Sequence, residues 1–455
     1  MRTLTYRFSV LVIIASLIFV AVEARAQSQA GRDVEVLTLE QAVATALRDN
    51  AQLRIAALDV SKAGEEFAAT RTRRLPSFNF EMIGSQQLTP IDFTFEKGVF
   101  GTFPGTGPIP AEDTKLSTPL KPTAIFITRV TQPLSKLYQI NLNLNQLKLK
   151  TEIAQEDLRS KRLEIIRDVK RAYFALLQTQ SAIEAAVETV KMYRELDRVT
   201  GDYVAQQVVL RTESLDVKSR LAKSEYDLMT LADQISVQKQ QLNMLLGRDL
   251  YTEFSVAAAP AADALETEIE VARARALEQR PDLREARLKV KQAEVDRRIK
   301  KSEFIPDISA SFQHTATANF NSFIPRNYMN IGITVSWEVF DWGRKKRELA
   351  QKEMATEQAR NAVRDAERGV MIEVNDKFNK LRQARQLLAV TELSRESAVE
   401  NVRVLTNRYK AQMTLLKDVL QAQAQLEEAN NQERQALLSF WVAKAEFENA
   451  IGEEK

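Results

Sequence analysis

The sequence contains no cysteine among its 455 residues, and it has a single histidine and only 13 glycines. The missing cysteines exclude disulfides, thiolate metal sites and a lipid-bearing N-terminal cysteine. The sequence also lacks a phosphate loop, a nucleophile elbow and a metal-spaced histidine cluster. A net charge of +3 gives no electrostatic reason to expect nucleic acid as a partner. These absences argue against an enzyme, and we predict no cofactor and no metal site.

The N-terminal segment has the layout of a secretory signal peptide. A basic start is followed by an apolar run of about 13 residues and by the tripeptide Ala24-Arg25-Ala26, which matches a cleavage site. A membrane-spanning helix needs about 20 apolar residues, so an uncleaved anchor is the weaker alternative. We therefore predict a signal peptide over residues 1–26. An exported chain of this length without disulfides is typical of the Gram-negative cell envelope.

The chain carries an internal duplication. Residues 46–53 align with residues 276–283 at an offset of 230, and the same offset pairs Leu75-Pro76 with Ile305-Pro306. Further along, the matches continue at an offset of about 205 and stay collinear. These later matches pair Val169 with Val374, Tyr173 with Phe378, Leu176 with Leu381 and Leu215 with Leu420. The fall in the offset places about 24 additional residues in the first copy.

The duplication defines the predicted organisation of the mature chain. We predict a first structural repeat over residues 27–250, a linker over residues 251–265, and a second structural repeat over residues 266–455. The linker is rich in alanine and contains Pro260, which is typical of a connecting segment.

Each copy has long stretches with helical periodicity. Toward the C terminus, apolar residues alternate spacings of four and three for about five heptads, which is typical of a coiled coil. This seam consists of Leu415, Val419, Ala422, Leu426, Ala429, Ala436, Phe440, Ala443, Phe447 and Ala450. Residues 342–407 contain no proline, and the matching residues 137–200 contain neither proline nor glycine. About 65 residues without a break predict a helix roughly 100 Å long in each copy.

Between the helices, the periodicity changes to two. We predict strands at about 76–88 and 122–134 in the first copy, and at about 305–318 and 327–340 in the second. Each strand has one apolar and one polar face and is about 10 residues long, the length that crosses a bilayer as a tilted strand. By this alternation, His314 falls on an apolar face, where we expect a structural role. The loop over residues 88–121 is rich in glycine, proline and phenylalanine, and we interpret it as an external loop, either a lid or an irregular surface loop.

Aromatic residues mark the point where the last strand passes into a helix. Trp337, Phe340 and Trp342 lie there, and such residues are enriched at membrane interfaces. The alternative is that they belong to the core of a soluble β-sandwich. Four strands from one chain cannot close a barrel with a lumen, and open sheet edges cannot face lipid. If the strands cross a membrane, several chains must therefore share one barrel.

The signal peptide and the duplicated helix–strand–strand–helix unit resemble the TolC-like outer-membrane efflux family over essentially the whole mature chain. Four short segments carry the resemblance. They are residues 37–42 with Ala46-Leu47 and Asn50, the Leu75-Pro76 and Ile305-Pro306 pairs that enter a strand, and residues 339–343 (Val-Phe-Asp-Trp-Gly) that leave the last one.

The resemblance implies a mainly α fold with a β-barrel section. It implies a homotrimer in which each chain gives four strands to one 12-stranded outer-membrane barrel, which a periplasmic α-helical barrel continues. The location would be the cell outer membrane with an extension into the periplasm. The function would be a passive exit duct, with an inner-membrane transporter, a periplasmic adaptor (membrane fusion) protein and outer-membrane lipid as partners. The cargo, whether drug, metal or protein, does not follow from the resemblance.

The family also has a Tyr-x-x-Gly element in the turns between its long helices, where the adaptor docks. The matching positions here are Tyr203 with Gln206 in the first copy and Tyr409 with Gln412 in the second. Glutamine replaces glycine in both turns, so the docking geometry of the family does not transfer directly.

An acidic pair follows each of these turns in the family and lines the periplasmic entrance. The first copy keeps it as Glu213 and Asp216, whereas the second keeps Asp418 and has Gln421 at the other position. A ring of such carboxylates in a trimer favours cations and is suited to divalent ions. The alternative is that these are ordinary solvated acids at the start of a helix, where the helix dipole stabilises them.

A second functional hypothesis is a periplasmic coiled-coil adaptor or scaffold protein. Such a protein would also be exported and helical. It gives no reason, however, for four alternating strands flanked by aromatic residues.

Overall fold

The computed structural model describes residues 35–454, except residues 87, 91, 118–119, 208–209, 261–267, 320–324, 412 and 415. The predicted signal peptide over residues 1–26 lies outside the described residues. The chain divides into two compact units. Unit 1 comprises Met1–Ala57, Asp157–Leu283 and Glu367–Lys455, and unit 2 comprises Leu58–Glu156 and Arg284–Ala366. Each unit therefore combines corresponding parts of both copies of the repeat.

The described elements follow one another in the order helix, strands, helix in both copies. They are β1 (Glu35–Leu37), α1 (Leu39–Asp49), α2 (Ala51–Thr72), β2 (Ser77–Gln86), β3 (Asp92–Phe95), β4 (Thr102–Phe103), β5 (Gly107–Pro108), β6 (Thr114–Ser117), β7 (Pro122–Pro133), α3 (Lys136–Ala205), α4 (Arg211–Leu246), β8 (Phe254–Val256), α5 (Ile269–Gln279), α6 (Pro281–Ser302), β9 (Asp307–Ala318), β10 (Asn327–Ser336), α7 (Arg344–Lys410) and α8 (Leu416–Ala450).

The long helices match the sequence prediction closely. Helix α3 has 70 residues and α7 has 67, so each is roughly 100 Å long at 1.5 Å per residue. Helix α8 carries most of the predicted seam. Six of its residues are buried, namely Ala422, Ala429, Ala436, Phe440, Phe447 and Ala450, and Leu426 and Ala443 are half-buried. None of the described helices combines the length and the apolarity needed to cross a membrane.

Unit 2 contains a four-stranded antiparallel sheet in the order β10-β9-β7-β2. Its strands lie within the four predicted ranges. The last strand ends at Ser336, four residues before the predicted end, because its neighbour β9 begins at Asp307, directly opposite Ser336. The sheet thus joins a hairpin from each copy through the β7–β9 pairing.

Unit 1 is organised around a small apolar core. Strands β1 and β8 pair in parallel and bring Leu37 and Phe254 into this core, where both side chains are fully buried. The hydroxyl of Tyr173 lies 3.0 Å from the carbonyl oxygen of Leu37 and 2.9 Å from that of Ala257. The segment that we predicted to be a linker therefore contains a core strand, since residues 254–256 lie within it.

The loop over residues 88–121 is more regular than the irregular surface loop that we considered. Strands β3 and β6 form one antiparallel ladder, and β4 and β5 form a second. The amide of Lys97 donates to Asp113 over 2.8 Å, and the amide of Gly98 donates to the carbonyl of Pro110 over 2.9 Å. Each of these short strands has at most four residues, too few for a recognisable alternation.

Candidate functional site

The register of the sheet places most apolar side chains on one face and most polar side chains on the other. Residues directly opposite one another in antiparallel strands lie on the same face. One face therefore carries Phe78, Phe80 and Met82 from β2, Phe126 and Val130 from β7, Ile308, Phe312 and His314 from β9, and Met329, Ile331, Ile333 and Val335 from β10. His314 lies on this apolar face, as we predicted.

The apolar face is strongly exposed at both edges of the sheet. Phe80 in β2 is 68% exposed and Ile331 in β10 is 84% exposed. A soluble core would bury such side chains, since burying a large apolar side chain stabilises a fold by about 2 kcal/mol. Contiguous apolar exposure on this scale is typical of a membrane or protein interface.

The opposite face is mainly polar, apart from three isoleucines where β2 and β7 approach residues 88–121, and it contains a cross-strand bridge that the sequence pattern did not single out. Arg129 in β7 donates to Gln313 Oε1 in β9, over 3.0 Å from Nη2 and 3.2 Å from Nε. Asn79 lies directly opposite Arg129 on β2. Alternation predicted that these residues share a polar face, but only the register reveals which of them meet. The arrangement is suited to lining an aqueous path.

The aromatic residues after β10 are exposed rather than buried. Trp337, Phe340 and Trp342 are 57%, 70% and 88% exposed, which excludes the core of a soluble sandwich as their place. The rings of Phe340 and Trp342 pack edge to face with centroids 4.9 Å apart. Trp342 has a positive φ of 56°, a strained conformation for a bulky residue.

The turn that presents these aromatics is held by a carboxylate. Asp341 accepts hydrogen bonds from the backbone amides of Lys345, over 2.9 Å, and of Gly343, over 3.0 Å. These bonds, that from Lys345 first, lower the pKa of the Asp341 carboxyl below its usual value. The ionised cap begins α7 and stabilises the backbone on which Trp342 stands.

The predicted entrance acids lie near the start of two helices. Glu213 and Asp216 are exposed on α4, three residues apart and thus on one face. Asp216 accepts a hydrogen bond from Arg220 Nε over 2.9 Å, and this bond raises the pKa of the Arg220 guanidinium. Asp418 begins α8 and accepts a hydrogen bond from Thr414 Oγ1 over 2.7 Å. These positions agree equally with an entrance ring and with helix-start acids, so the ring stays a prediction.

The first of the two predicted docking turns is described as far as Gln207. Tyr203 lies in the last turn of α3 and is 47% exposed. The amide of Gln206 donates to the carbonyl of Asp202 over 3.1 Å, and the residue with positive φ is Gln207, at 60°. Glutamine in place of glycine at position 206 therefore causes no backbone strain. Gln412 and the side chain of Tyr409 lie outside the described residues.

Three comparisons relate the chain to known proteins. A family model described as "Outer membrane efflux protein" matches residues 42–248 and 272–453. The antibiotic efflux pump outer membrane protein ArpC and the probable efflux pump outer membrane protein TtgC, both of Pseudomonas putida, are each 24% identical over 297 residues. Each alignment covers 63% of this chain and 54% of the relative, so the chain spans about half the length of the curated relatives it matches.

Solved structures of low sequence identity share the fold. The CmeC outer membrane channel of Campylobacter jejuni superposes with a TM-score of 0.73 at 16% identity, over 91% of this chain and 85% of CmeC. CusC superposes with a TM-score of 0.72 at 16% identity, over 93% of this chain and 95% of CusC.

Proposed function

The chain belongs to the outer membrane efflux protein family, and from this premise we propose that it forms a passive exit duct through which exported molecules leave the cell. The predicted resemblance to the TolC-like family is confirmed by this membership, and the mainly α fold with a β section is confirmed by the solved structures. Family membership places the chain in the outer membrane of a Gram-negative bacterium, with an extension into the periplasm.

One observation carries the proposal, namely the sheet with one apolar and one polar face and two open edges. Strands β2 and β10 each pair on one side only within the described part of the chain. Open edges in a bilayer leave backbone amides and carbonyls unsatisfied, at a cost of several kcal/mol each. Pairing the β2 edge of one copy with the β10 edge of the next satisfies both edges and turns the polar faces inward.

The proposed assembly is therefore a homotrimer. Three copies, each with the four strands of its sheet, form one 12-stranded barrel in the outer membrane. The long helices continue the duct as an α-helical barrel in the periplasm. In this arrangement Arg129 and Gln313 line the lumen, and the exposed apolar residues contact lipid.

Export through the duct depends on partners that supply energy and substrate. We assign these roles to an inner-membrane transporter and a periplasmic adaptor, which docks at the turns around Tyr203 with Gln206 and Tyr409 with Gln412. The curated relatives are named for efflux pumps of antibiotics and toluene, which favours small molecules over proteins as cargo. The duct itself has no catalytic role in this scheme. A periplasmic scaffold leaves the exposed apolar sheet face without a function and is the weaker hypothesis.

Fractionation of cells that express the full chain tests the proposal. We expect the protein in the outer membrane, migrating as a heat-sensitive trimer when solubilised in mild detergent. A soluble monomer in the periplasm would overturn the exit duct and favour the scaffold.

The entrance ring of Glu213, Asp216 and Asp418 has its own test. In planar bilayers we expect Asp418→Asn to reduce cation selectivity and block by divalent ions, because it removes three charges from a threefold ring. Asp227→Asn, a charge removal further along α4, is the control and leaves both properties unchanged. Wild-type selectivity and block in the Asp418→Asn channel would reject a role for this residue.

A further inference from the structure

Unit 2 contains a groove whose lining residues have no role in the proposed duct. It has a volume of about 500 Å³ and is formed by the end of α6, the beginning of α3 and the beginning of α7. Three cationic side chains line it, namely Arg297, Arg298 and Lys301. All three residues are exposed. Cations gathered in one groove repel one another, so a groove of this kind is suited to an anion.

These three cations differ from their neighbours in lacking partners. Among the described residues, the side chains of Arg297, Arg298 and Lys301 form no hydrogen bond or ion pair. Lys300, next to them, is engaged by Glu303 over 2.7 Å and by Glu348 over 2.6 Å. The helix end therefore contains both satisfied cations, which hold the helices together, and unsatisfied cations, which face the groove.

A single carboxylate, Glu353, also lines the groove. Its side chain too forms no hydrogen bond or ion pair within the described part of the chain. Three cations against one carboxylate leave the groove with a net charge of plus two. That charge favours an anionic ligand over a zwitterionic one.

The rest of the lining is apolar, so the groove fits an amphiphile better than a free ion. Tyr138, Ile305 and Leu349 contribute this surface, and Tyr138 and Ile305 are 53% and 51% exposed. A cationic cluster beside exposed apolar side chains is the combination that recognises a lipid phosphate with the start of its chains.

The position of the groove along the chain identifies the source of that lipid. Ile305 is two residues before β9 begins at Asp307, and Tyr138 is five residues after β7 ends at Pro133. The groove therefore lies at the boundary between strands and helices, next to the end of the sheet. If the sheet crosses the hydrocarbon core, the groove lies at the level of the headgroups.

We propose that this groove binds the phosphate headgroup of an anionic phospholipid from the periplasmic leaflet of the outer membrane. The proposal rests on the proposed function, because it requires the sheet to cross that membrane. Arg297, Arg298 and Lys301 bind the phosphate oxygens, and Tyr138, Ile305 and Leu349 contact the glycerol and the first methylenes. The bound lipid fixes the depth of the protein in the bilayer.

The test measures phosphatidylglycerol binding to the full-length protein in detergent by native mass spectrometry. We expect phosphatidylglycerol to bind more tightly than phosphatidylcholine, and the triple variant Arg297→Gln/Arg298→Gln/Lys301→Gln to lose at least about tenfold in affinity for it. A control variant with the same charge change, Lys218→Gln/Arg382→Gln/Arg385→Gln, removes exposed cations of unit 1 and keeps the wild-type affinity.

A second variant acts in the opposite direction and does not depend on the stability of the first. Glu353→Gln removes the one carboxylate of the groove, and we expect tighter binding of phosphatidylglycerol. The proposal is overturned if both groove variants bind this lipid as the wild type does. It is also overturned if inorganic phosphate displaces the lipid at equal concentration, which would assign the groove to a free anion.

Conductance in planar bilayers separates this site from the proposed function. The triple variant should still form pores, since its residues lie on α6 and not in the sheet that builds the barrel. Pores without groove-dependent lipid binding would reject the site and leave the duct intact. Groove-dependent lipid binding by a protein that forms no pores would reject the duct.

Discussion

In the first copy of the repeat, Asn50 Nδ2 donates to the carbonyl of Leu245 over 2.8 Å; in the second copy, Arg280 Nη1 donates to the carbonyl of Ala450 over 3.1 Å. The donors are 230 residues apart and the acceptors 205 apart, which are the two offsets of the duplication. Both copies therefore join a short helix to the end of a long hairpin at the same place. The backbone arrangement is shared, whereas the donor is neutral in one copy and charged in the other.

We call these two contacts, at Asn50 and at Arg280, the joints of the two copies. The surroundings of the joints also differ in charge. Asn50 Oδ1 accepts from the amides of Gln52 and Leu53, so its remaining bonds are to the backbone. Arg280 forms ion pairs with Asp282 over 2.8 Å and with Glu373 over 2.6 Å. Duplication has thus preserved the geometry of the joint and changed its chemistry.

The largest expected effect concerns the glycine that ends each hairpin. Gly247 and Gly452 both have positive φ, 69° and 78°. A Cβ at Gly247 would lie 2.3 Å from the carbonyl oxygen of Asp49, whereas at Gly452 the nearest atoms are backbone atoms at 3.3 Å. Gly247→Ala should therefore lower the free energy of unfolding by about 3 kcal/mol or more, and Gly452→Ala by about 1 kcal/mol.

Urea unfolding followed by circular dichroism of the helices measures both glycine variants. Gly64→Ala is the control, because nothing lies within 4 Å of a Cβ there and its backbone is helical. Equal losses at Gly247 and Gly452 would contradict the difference in packing between the two joints.

The next effect concerns Glu446, a carboxylate of the second copy that pairs with a cation from each copy. Glu446 binds Lys377 over 2.8 Å and also pairs with Arg171. Burial alone would raise the pKa of the Glu446 carboxyl, but the hydrogen bonds from these two cations lower it below its usual value. The two ion pairs of Glu446 therefore contribute their whole stabilisation above the unfolded pKa of about 4.3. This stabilisation is lost as the pH falls through the lowered folded pKa.

Glu446→Gln should consequently cost about 2 kcal/mol at neutral pH. The difference from the wild type should shrink in acid, as the pH falls below the unfolded pKa of about 4.3 and then through the lowered folded pKa, where the wild-type carboxylate becomes protonated as well. The corresponding position of the first copy is the exposed Gln241, and Gln241→Ala should change stability by less than about 0.5 kcal/mol at either pH. Urea unfolding at neutral pH and in acid measures both variants. A loss of stability for Glu446→Gln that does not depend on pH would contradict a stabilising role for the ionised carboxylate.

The smallest effect concerns a hydroxyl that only the first copy has. Tyr173 bridges the carbonyls of Leu37 and Ala257, and its counterpart in the second copy is Phe378. Burial raises the pKa of the Tyr173 phenol, so it stays a neutral donor in the physiological range. Tyr173→Phe should lower the free energy of unfolding by about 1 kcal/mol, because a buried carbonyl loses its donor.

The exposed Tyr226 on α4 provides the matched control for this hydroxyl. Tyr226→Phe should change stability by less than about 0.5 kcal/mol. If Tyr173→Phe is equally neutral in urea unfolding, the hydroxyl does not hold β1 and β8 together.

The sequence predicted the features that repeat over many residues. A heptad seam of five repeats and an alternation over ten residues are long enough to distinguish helix from strand, so the long helices and the four sheet strands were found. The short strands β1 and β8 were missed, since three residues carry no period. The Arg129–Gln313 bridge was missed for another reason, because it depends on the register between two distant strands.

The predicted turns show a limit of reasoning from a resemblance. The exchange of glycine for glutamine at position 206 suggested an altered turn. The positive φ falls instead on Gln207, so the exchange at 206 has no conformational consequence there. Which residue of a turn adopts the left-handed conformation depends on where the helix ends, and helix ends are the least defined part of a periodic pattern.

The central claim is that the polar face of the sheet lines a water-filled duct and the apolar face contacts lipid. Because the chain has no cysteine, a single introduced thiol reports its own position. Ser311 lies opposite Thr131 and Gly332 on the polar face, and its neighbour Ala310 lies opposite Ile333 on the other. In planar bilayers, a charged methanethiosulfonate should change the conductance of Ser311→Cys and leave that of Ala310→Cys unchanged. An equal response at both positions, or a response at Ala310→Cys alone, would contradict the account.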